Sequence, residues 1–160
     1  MAIMTAHLAE PLSTDLIERY LRVRGRRYFR GQHDGEFFFV INTGQRRLHV
    51  HVEIPPLHPD VVAIRVTPAC FFPAEDRDRL QRLAEEWNRE HREITADVHR
   101  SSDPLRIGVA GARSQRMGGR VRFEDFTAFV DEAIGAAVEL FDGLAPATEL
   151  PTAPLLLDVG

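Results

Sequence analysis

Apolar residues recur along the chain with two different periods, and the switches between them lay out its elements. Within residues 73–92, Leu80, Leu83, Ala84 and Trp87 fall at i, i+3, i+4 and i+7, one stripe of a helix whose remaining face is charged. Pro73 suits a first helical turn because the amide it lacks would have no partner there, and Glu75 and Asp76 oppose the positive end of the helix dipole. Glu75 with Arg79, Asp78 with Arg82 and Glu85 with Arg89 stand four apart in acid-to-base order, each pair supporting an exposed helix by about 0.2–0.5 kcal/mol. The spacing predicts a helix that divides two groups of strands and on which a single sheet packs. Trp87 is its anchor, with an indole N–H that needs an acceptor near the helix end.

On the N-terminal side, Ser13-Thr14-Asp15 opens a helix with the stripe Leu16, Ile17, Tyr20 and Leu21, closed by Gly25. Residues 26–30 and 36–42 read as strands paired through the hairpin signal Asp34-Gly35. The second contains Phe37-Phe38-Phe39-Val40-Ile41, an unbroken apolar run. Such a strand has little freely solvated face, so it is central, or its outer face is covered by a helix or another subunit. Residues 47–54 alternate cleanly, Leu48, Val50, Val52 and Ile54 against Arg47, His49, His51 and Glu53. Beyond Pro55, Pro56 and Pro59, Val62, Ile64 and Val66 alternate with Ala63, Arg65 and Thr67.

After the dividing helix, Ile94, Ala96 and Val98, then Leu105, Ile107 and Val109, mark a hairpin turned by Ser101-Ser102-Asp103-Pro104. Gly111 to Gly119 reads as a mobile loop. Phe126, Phe129, Val130, Ala133, Ile134, Ala137, Leu140 and Phe141 then form a continuous helical stripe that Gly143 ends. The order α-β-β-β-β-α-β-β-α implies an α+β fold, a single antiparallel sheet with helices mainly on one face. We assign the domain to residues 13–144, with an N-terminal extension (1–12) and a Pro-containing C-terminal tail (145–160). Leu155-Leu156-Leu157 is too apolar for a fully solvated tail and predicts docking on its own domain or on a neighbour.

At 160 residues the chain suits one domain that buries enough surface to fold without disulfides or metal. Its formal charge of −4 is interspersed, which gives no global case for nucleic acid or an anionic membrane. All 20 basic residues are Arg, so neither a lysine Schiff base nor a P-loop lysine is available. Cys70 is alone, within Ala-Cys-Phe-Phe, the context of a buried thiol in a reducing compartment. No apolar run approaches the roughly 20 residues that span a bilayer. The expected location is the cytoplasm.

The helix ending Leu-Ala-Glu-Glu-Trp-Asn-Arg-Glu, the hairpin after it and the closing Phe-Thr-Ala-Phe-Val-Asp-Glu-Ala-Ile resemble the YbjN-domain family of bacteria, particularly its actinobacterial members. The likeness covers about residues 13–144. Its element order is similar to the type III secretion chaperone fold, whose members are small cytoplasmic dimers that bind segments of client proteins without catalysis. The resemblance implies a regulator or chaperone-like protein, self-associating as a homodimer, with a protein client or regulatory partner, no membrane, and no catalytic, cofactor or metal residues to transfer.

The residues themselves leave other chemistry open. His49 and His51 are two apart on a strand and point to one side, a spacing that can place two imidazoles on one zinc ion. His33, His58, Glu53 or His99 would have to supply a third ligand, and an ordinary polar strand face gives the same pattern. With Arg65 the two histidines could instead form an anion or carboxylate site. A small-molecule- or metal-dependent enzyme using His49, His51 and Arg65 is therefore the alternative to a binding module, and it requires the three to converge with a carboxylate in a concave site. Arg22, Arg24, Arg26, Arg27 and Arg30 form one basic cluster and Arg113, Arg116, Arg120 and Arg122 another. If adjacent, they would attract phosphate or nucleic acid, with affinity that falls steeply with salt. The net acidic charge and the lack of a nucleic-acid motif argue against that reading. Ser114 lacks a Gly-x-Ser-x-Gly elbow. The leading expectation is a non-catalytic, homodimeric protein-binding domain using Phe37 to Ile41, exposed parts of the first or last helix, or Leu155 to Leu157.

Overall fold

The structure, a computed structural model, describes residues 8–44 and 46–144 and the backbone of 150–151. Leu155 to Leu157 lie outside the described residues. In chain order the elements are β1 (Ala9–Glu10), α1 (Thr14–Val23), β2 (Tyr28–Arg30), β3 (Glu36–Asn42), β4 (Arg47–Glu53), β5 (Val61–Pro68), β6 (Cys70–Pro73), α2 (Arg77–Glu90), β7 (Thr95–Arg100), β8 (Arg106–Arg116), β9 (Val121–Arg122), α3 (Phe123–Gly143) and β10 (Leu150–Pro151). The α+β order expected from sequence is present, with short strands added. β2-β3-β4-β5 form an antiparallel meander, β8 pairs with β5, and β7 pairs with the other side of β8. β6 continues beside the start of β8 and pairs in turn with β10, while β1 and β9 make a separate two-stranded ribbon. The last residues of the expected N-terminal extension thus take part in the fold.

Alternation decides which face is buried. Phe37, Phe39 and Ile41 on β3, Leu48, Val50 and Val52 on β4, and Val62, Ile64 and Val66 on β5 all lie in one core with the apolar stripes of the helices. α1 enters through Ser13, whose hydroxyl accepts from the Leu16 amide, and leaves through a Schellman turn. There the Arg26 amide donates to Leu21 O and the Gly25 amide to Arg22 O, with Gly25 at φ +65°.

Several expectations are corrected. The sheet packs chiefly on α3, which buries nine side chains, whereas α2 fully buries only Leu80 and Ala84 and serves the β7 side. α2 also starts at Arg77 and not at Pro73, because fully buried Phe72 draws 70–73 into the sheet beside β8 and a short 3₁₀ turn, Ala74–Asp76, precedes the helix. None of its three expected ion pairs closes. Gly111 to Arg116 is the second half of β8 and no loop; only Met117 to Arg120 turn, with Gly118 at φ +79°. Its apolar signal is missing because Arg113 roofs the core there, its guanidinium carbon 4.7 Å from the centre of the Phe129 ring. Asp34-Gly35 does connect paired strands, but neither residue has positive φ. Gly35 comes close to the end of β4, where a Cβ would sit a tight 3.1 Å from Ile54 O.

Trp87 meets its expectation: its indole N–H donates to Ile94 O at 3.0 Å, and its ring stacks on His91. Among the described residues no helix is long and apolar enough to cross a membrane.

Candidate functional site

Because Phe37, Phe39 and Ile41 point into the core, the period of two turns Glu36, Phe38 and Val40 outward, so half of the apolar run of β3 faces away from the helices. Phe29 of β2 lies opposite Phe38, Phe38 opposite His51 of β4, and His51 opposite Arg65 of β5, giving one row across four strands. A parallel row carries Val40, His49 and Thr67. Together they line a shallow concavity of about 610 Å³ on the outer face of the sheet. β3 is therefore flanked by strands on both sides, as its apolar run implied, yet among the described residues no helix covers its outer face: Phe29 is 56% and Phe38 42% exposed.

Phe38 stacks on His51, ring centroids 4.6 Å apart. On its far side His51 brings Nε2 within 2.8 Å of a Glu36 carboxylate oxygen, while the Gln32 amide donates to the other oxygen at 2.7 Å. The Gln32 amide, and after it the His51 contact, hold the Glu36 carboxyl below its ordinary pKa. Gly31 makes room for that carboxylate, since a Cβ there would collide with it. Burial first, then the nearby Arg47, lower the pKa of His49; burial first, then Arg65, lower that of His99. Both imidazoles are thereby biased to neutrality. Arg65 is exposed and forms no ion pair among the described residues, which leaves a free guanidinium on the floor of an aromatic concavity.

The trio singled out from sequence does share this face and lines the same concavity, but its members have different partners. His51 lies opposite Arg65 and holds Glu36; His49 lies one pair along, opposite Thr67, and among the described residues no carboxylate backs it. His33 and Glu53, two of the candidate third ligands for the strand histidines, instead meet each other, His33 Nε2 lying 2.9 Å from Glu53 Oε2. Sequence reasoning did not single out Glu36 or Phe29. Glu36 was legible from parity, being in phase with Phe38 and Val40, but Phe29 sits on a three-residue strand too short to show a period.

Of the two arginine clusters, the later one gathers: Arg113, Arg116, Arg120 and Arg122 line a second concavity of about 580 Å³ below the start of α3. Each is already engaged, Arg113 with Glu132, Arg116 with Asp60, Arg122 with Asp125, and Arg120 with Ala9 O. In the earlier cluster, Arg24 pairs with Asp131 and Arg30 with Glu18, and none of its members lines that concavity. Cys70 is half-buried in β6.

The YbjN family model, described as "Putative bacterial sensory transduction regulator", matches residues 13–146, from the cap of α1 to beyond the end of α3. Among solved structures the chain is similar to "Crystal structure of YbjN, a putative transcription regulator from E. coli", with a TM-score of 0.67 and 12% identity over 86% of this chain and 95% of that one. At that identity the likeness carries the fold. A search of curated proteins gives no match. With the family match spanning α1, α2, α3 and all but the short β1 and β10 of the strands, the chain belongs to the YbjN family, whose description is that of a regulator and not of an enzyme.

Proposed function

We propose that this chain is a non-catalytic, chaperone-like regulatory module of the cytoplasm that works by holding a short segment of another protein on the outer face of β2 to β5. The observation that carries the reading is the guanidinium of Arg65, without an ion pair among the described residues, in one concavity with exposed Phe29 and Phe38. Aromatic side chains provide apolar area at low entropic cost, and a lone cation among them selects for a carboxylate. The segment that fits pairs apolar or aromatic side chains with an Asp or Glu.

Self-association as a homodimer belongs to the same reading, through another surface. A two-fold interface uses the same patch on both copies, so a dimer formed through this face would put two Arg65 side chains, each without an ion pair among the described residues, into one interface.

Peptides displayed at random and selected on the wild-type protein test the proposal. Enriched sequences should combine apolar and acidic positions, and their affinity should fall by about tenfold or more in Phe38→Ser and in Arg65→Glu. Enriched peptides that bind both variants as tightly as wild type, or no enrichment at all, overturn it. Native mass spectra over a concentration series report the dimer independently; a monomer at every concentration removes that part.

A further inference from the structure

The outer rim of β3 and β4 carries a second constellation, distinct from the aromatic concavity. Glu36, the first residue of β3, lies directly opposite Glu53, the last residue of β4, so two carboxylates face each other across the register. Like charges at directly opposed positions destabilise a sheet, and a counter-charge between them relieves the repulsion. His33, in the β2–β3 connection, turns its Nε2 into the same space. One donor atom from each of His33, Glu36 and Glu53 lies within 4.8 Å of the other two, and all three residues are half-buried.

We propose that His33, Glu36 and Glu53 form a binding site for a divalent transition cation of the zinc class, with water completing the coordination. One imidazole and two carboxylates are the donor set such an ion takes when it keeps an open position. Ligands at about 2.0–2.2 Å from a tetrahedral centre stand about 3.3 Å apart, so the 2.9 Å contact of His33 with Glu53 needs to open by only a few tenths of an ångström. Glu36 completes the set from within 4.8 Å of both other donors, so it has to close by up to about 1.5 Å. The Gln32 amide and His51 each hold one of its oxygens, and each oxygen keeps a further lone pair for a metal. Gly31 permits this arrangement, because any side chain there would displace the carboxylate. The strand pair His49 and His51 is not the site, since His51 serves here as the partner that orients Glu36.

The full chain, stripped with chelator and then titrated with Zn²⁺ against a chromophoric competitor and with Co²⁺ by its visible absorption, tests the assignment with the metal alone as probe. Its outcome is therefore independent of peptide binding. One ion per chain is expected, with Zn²⁺ bound more tightly than Ca²⁺ or Mg²⁺. Glu53→Gln and His33→Gln should each weaken binding by about tenfold or more, and His51→Gln by about tenfold through the loss of its hold on Glu36. Circular dichroism and urea midpoints near wild type establish that these rim variants are folded. His49→Gln should leave affinity unchanged. No saturable binding of either transition ion, preference for Ca²⁺, or loss on His49→Gln with retention in Glu53→Gln overturns the site.

Discussion

Phe38 and His51 face each other across the β3–β4 register with their rings stacked, 4.6 Å between centroids and 28° between planes. Phe38 thus packs one ring face on its cross-strand neighbour and still exposes 42% of its surface, while its neighbour Phe39 exposes 1% on the opposite face.

Adjacent phenylalanines should therefore respond in opposite ways. Phe39→Ala removes a core ring and should cost about 3–5 kcal/mol in urea unfolding. Phe38→Ser should change stability by about 1 kcal/mol, the span of strand propensity at an exposed position, while abolishing capture of acidic-apolar peptides. Comparable destabilisation by the two would place Phe38 in the core and remove the docking face.

Asn88 docks α2 onto β7 with both atoms of its amide: Nδ2 donates to Ala96 O at 3.0 Å, and Oδ1 accepts from the Ala96 amide at 2.8 Å. Asn88→Ala leaves both backbone groups without a partner and should cost about 1–3 kcal/mol. Asn88→Asp should cost more, because its carboxylate opposes the Ala96 carbonyl. Urea midpoints of the pair report the order, and Asp tolerated as well as Asn would mean that water replaces the clamp.

What could be read from the chain beforehand follows from where periodicity survives. Leu48 to Glu53 and Val62 to Thr67 alternate because one face is core and the other solvent, so their faces were legible, as were the stripes of α1 and α3. The second half of β8 was not, because Arg113 and Gln115 occupy its inward positions and an arginine stem packed on Phe129 carries no hydrophobic signature. The rank of the helices was misjudged for a related reason. The charge pattern of α2 is regular, but regular charge marks a solvated face, and the small residues Ala133, Ala136 and Ala137 let α3 approach the sheet closely. At the site, the shared face of His49, His51 and Arg65 followed from strand parity alone. The meeting of His33 with Glu53 depends on the fold of a connecting loop, which no spacing encodes.

The chain has two tyrosines, and both phenols are held protonated beyond their ordinary range. Burial first, then its 2.6 Å hydrogen bond to Asp131, raises Tyr20; the hydrogen bond to Glu18 is the main cause for Tyr28. A spectrophotometric titration of the native protein should therefore show little phenolate at pH about 10, where the urea-unfolded chain is half ionised. The sign for stability follows: the contribution is complete below pH about 10 and is lost as pH rises further, because the unfolded chain then releases protons that the folded one keeps. Native and unfolded titrations that coincide would contradict both hydrogen bonds.

His99 lies over Gly108 on the outer face, where a Cβ added at Gly108 would come within 2.3 Å of Nε2. The ring is partly buried, with Arg65 of β5 lowering its pKa and Asp97 of its own strand raising it less. His49 is lowered too, by burial and Arg47. For both, the unfolded chain binds protons below pH about 6.5 while the folded one resists them, so their contribution to stability is present above that pH and is lost as pH falls toward their folded values. Histidine proton resonances followed against pH should place His49 and His99 below the ordinary midpoint. Gly108→Ala turns the His99 ring out of its bed and toward water, so its midpoint should rise toward 6.5 while that of His49 stays in place. An unchanged His99 midpoint in that variant would show that the ring does not rest on Gly108. If Arg65→Gln raises His99 but not His49, the guanidinium reaches His99 across the sheet as the electrostatics require.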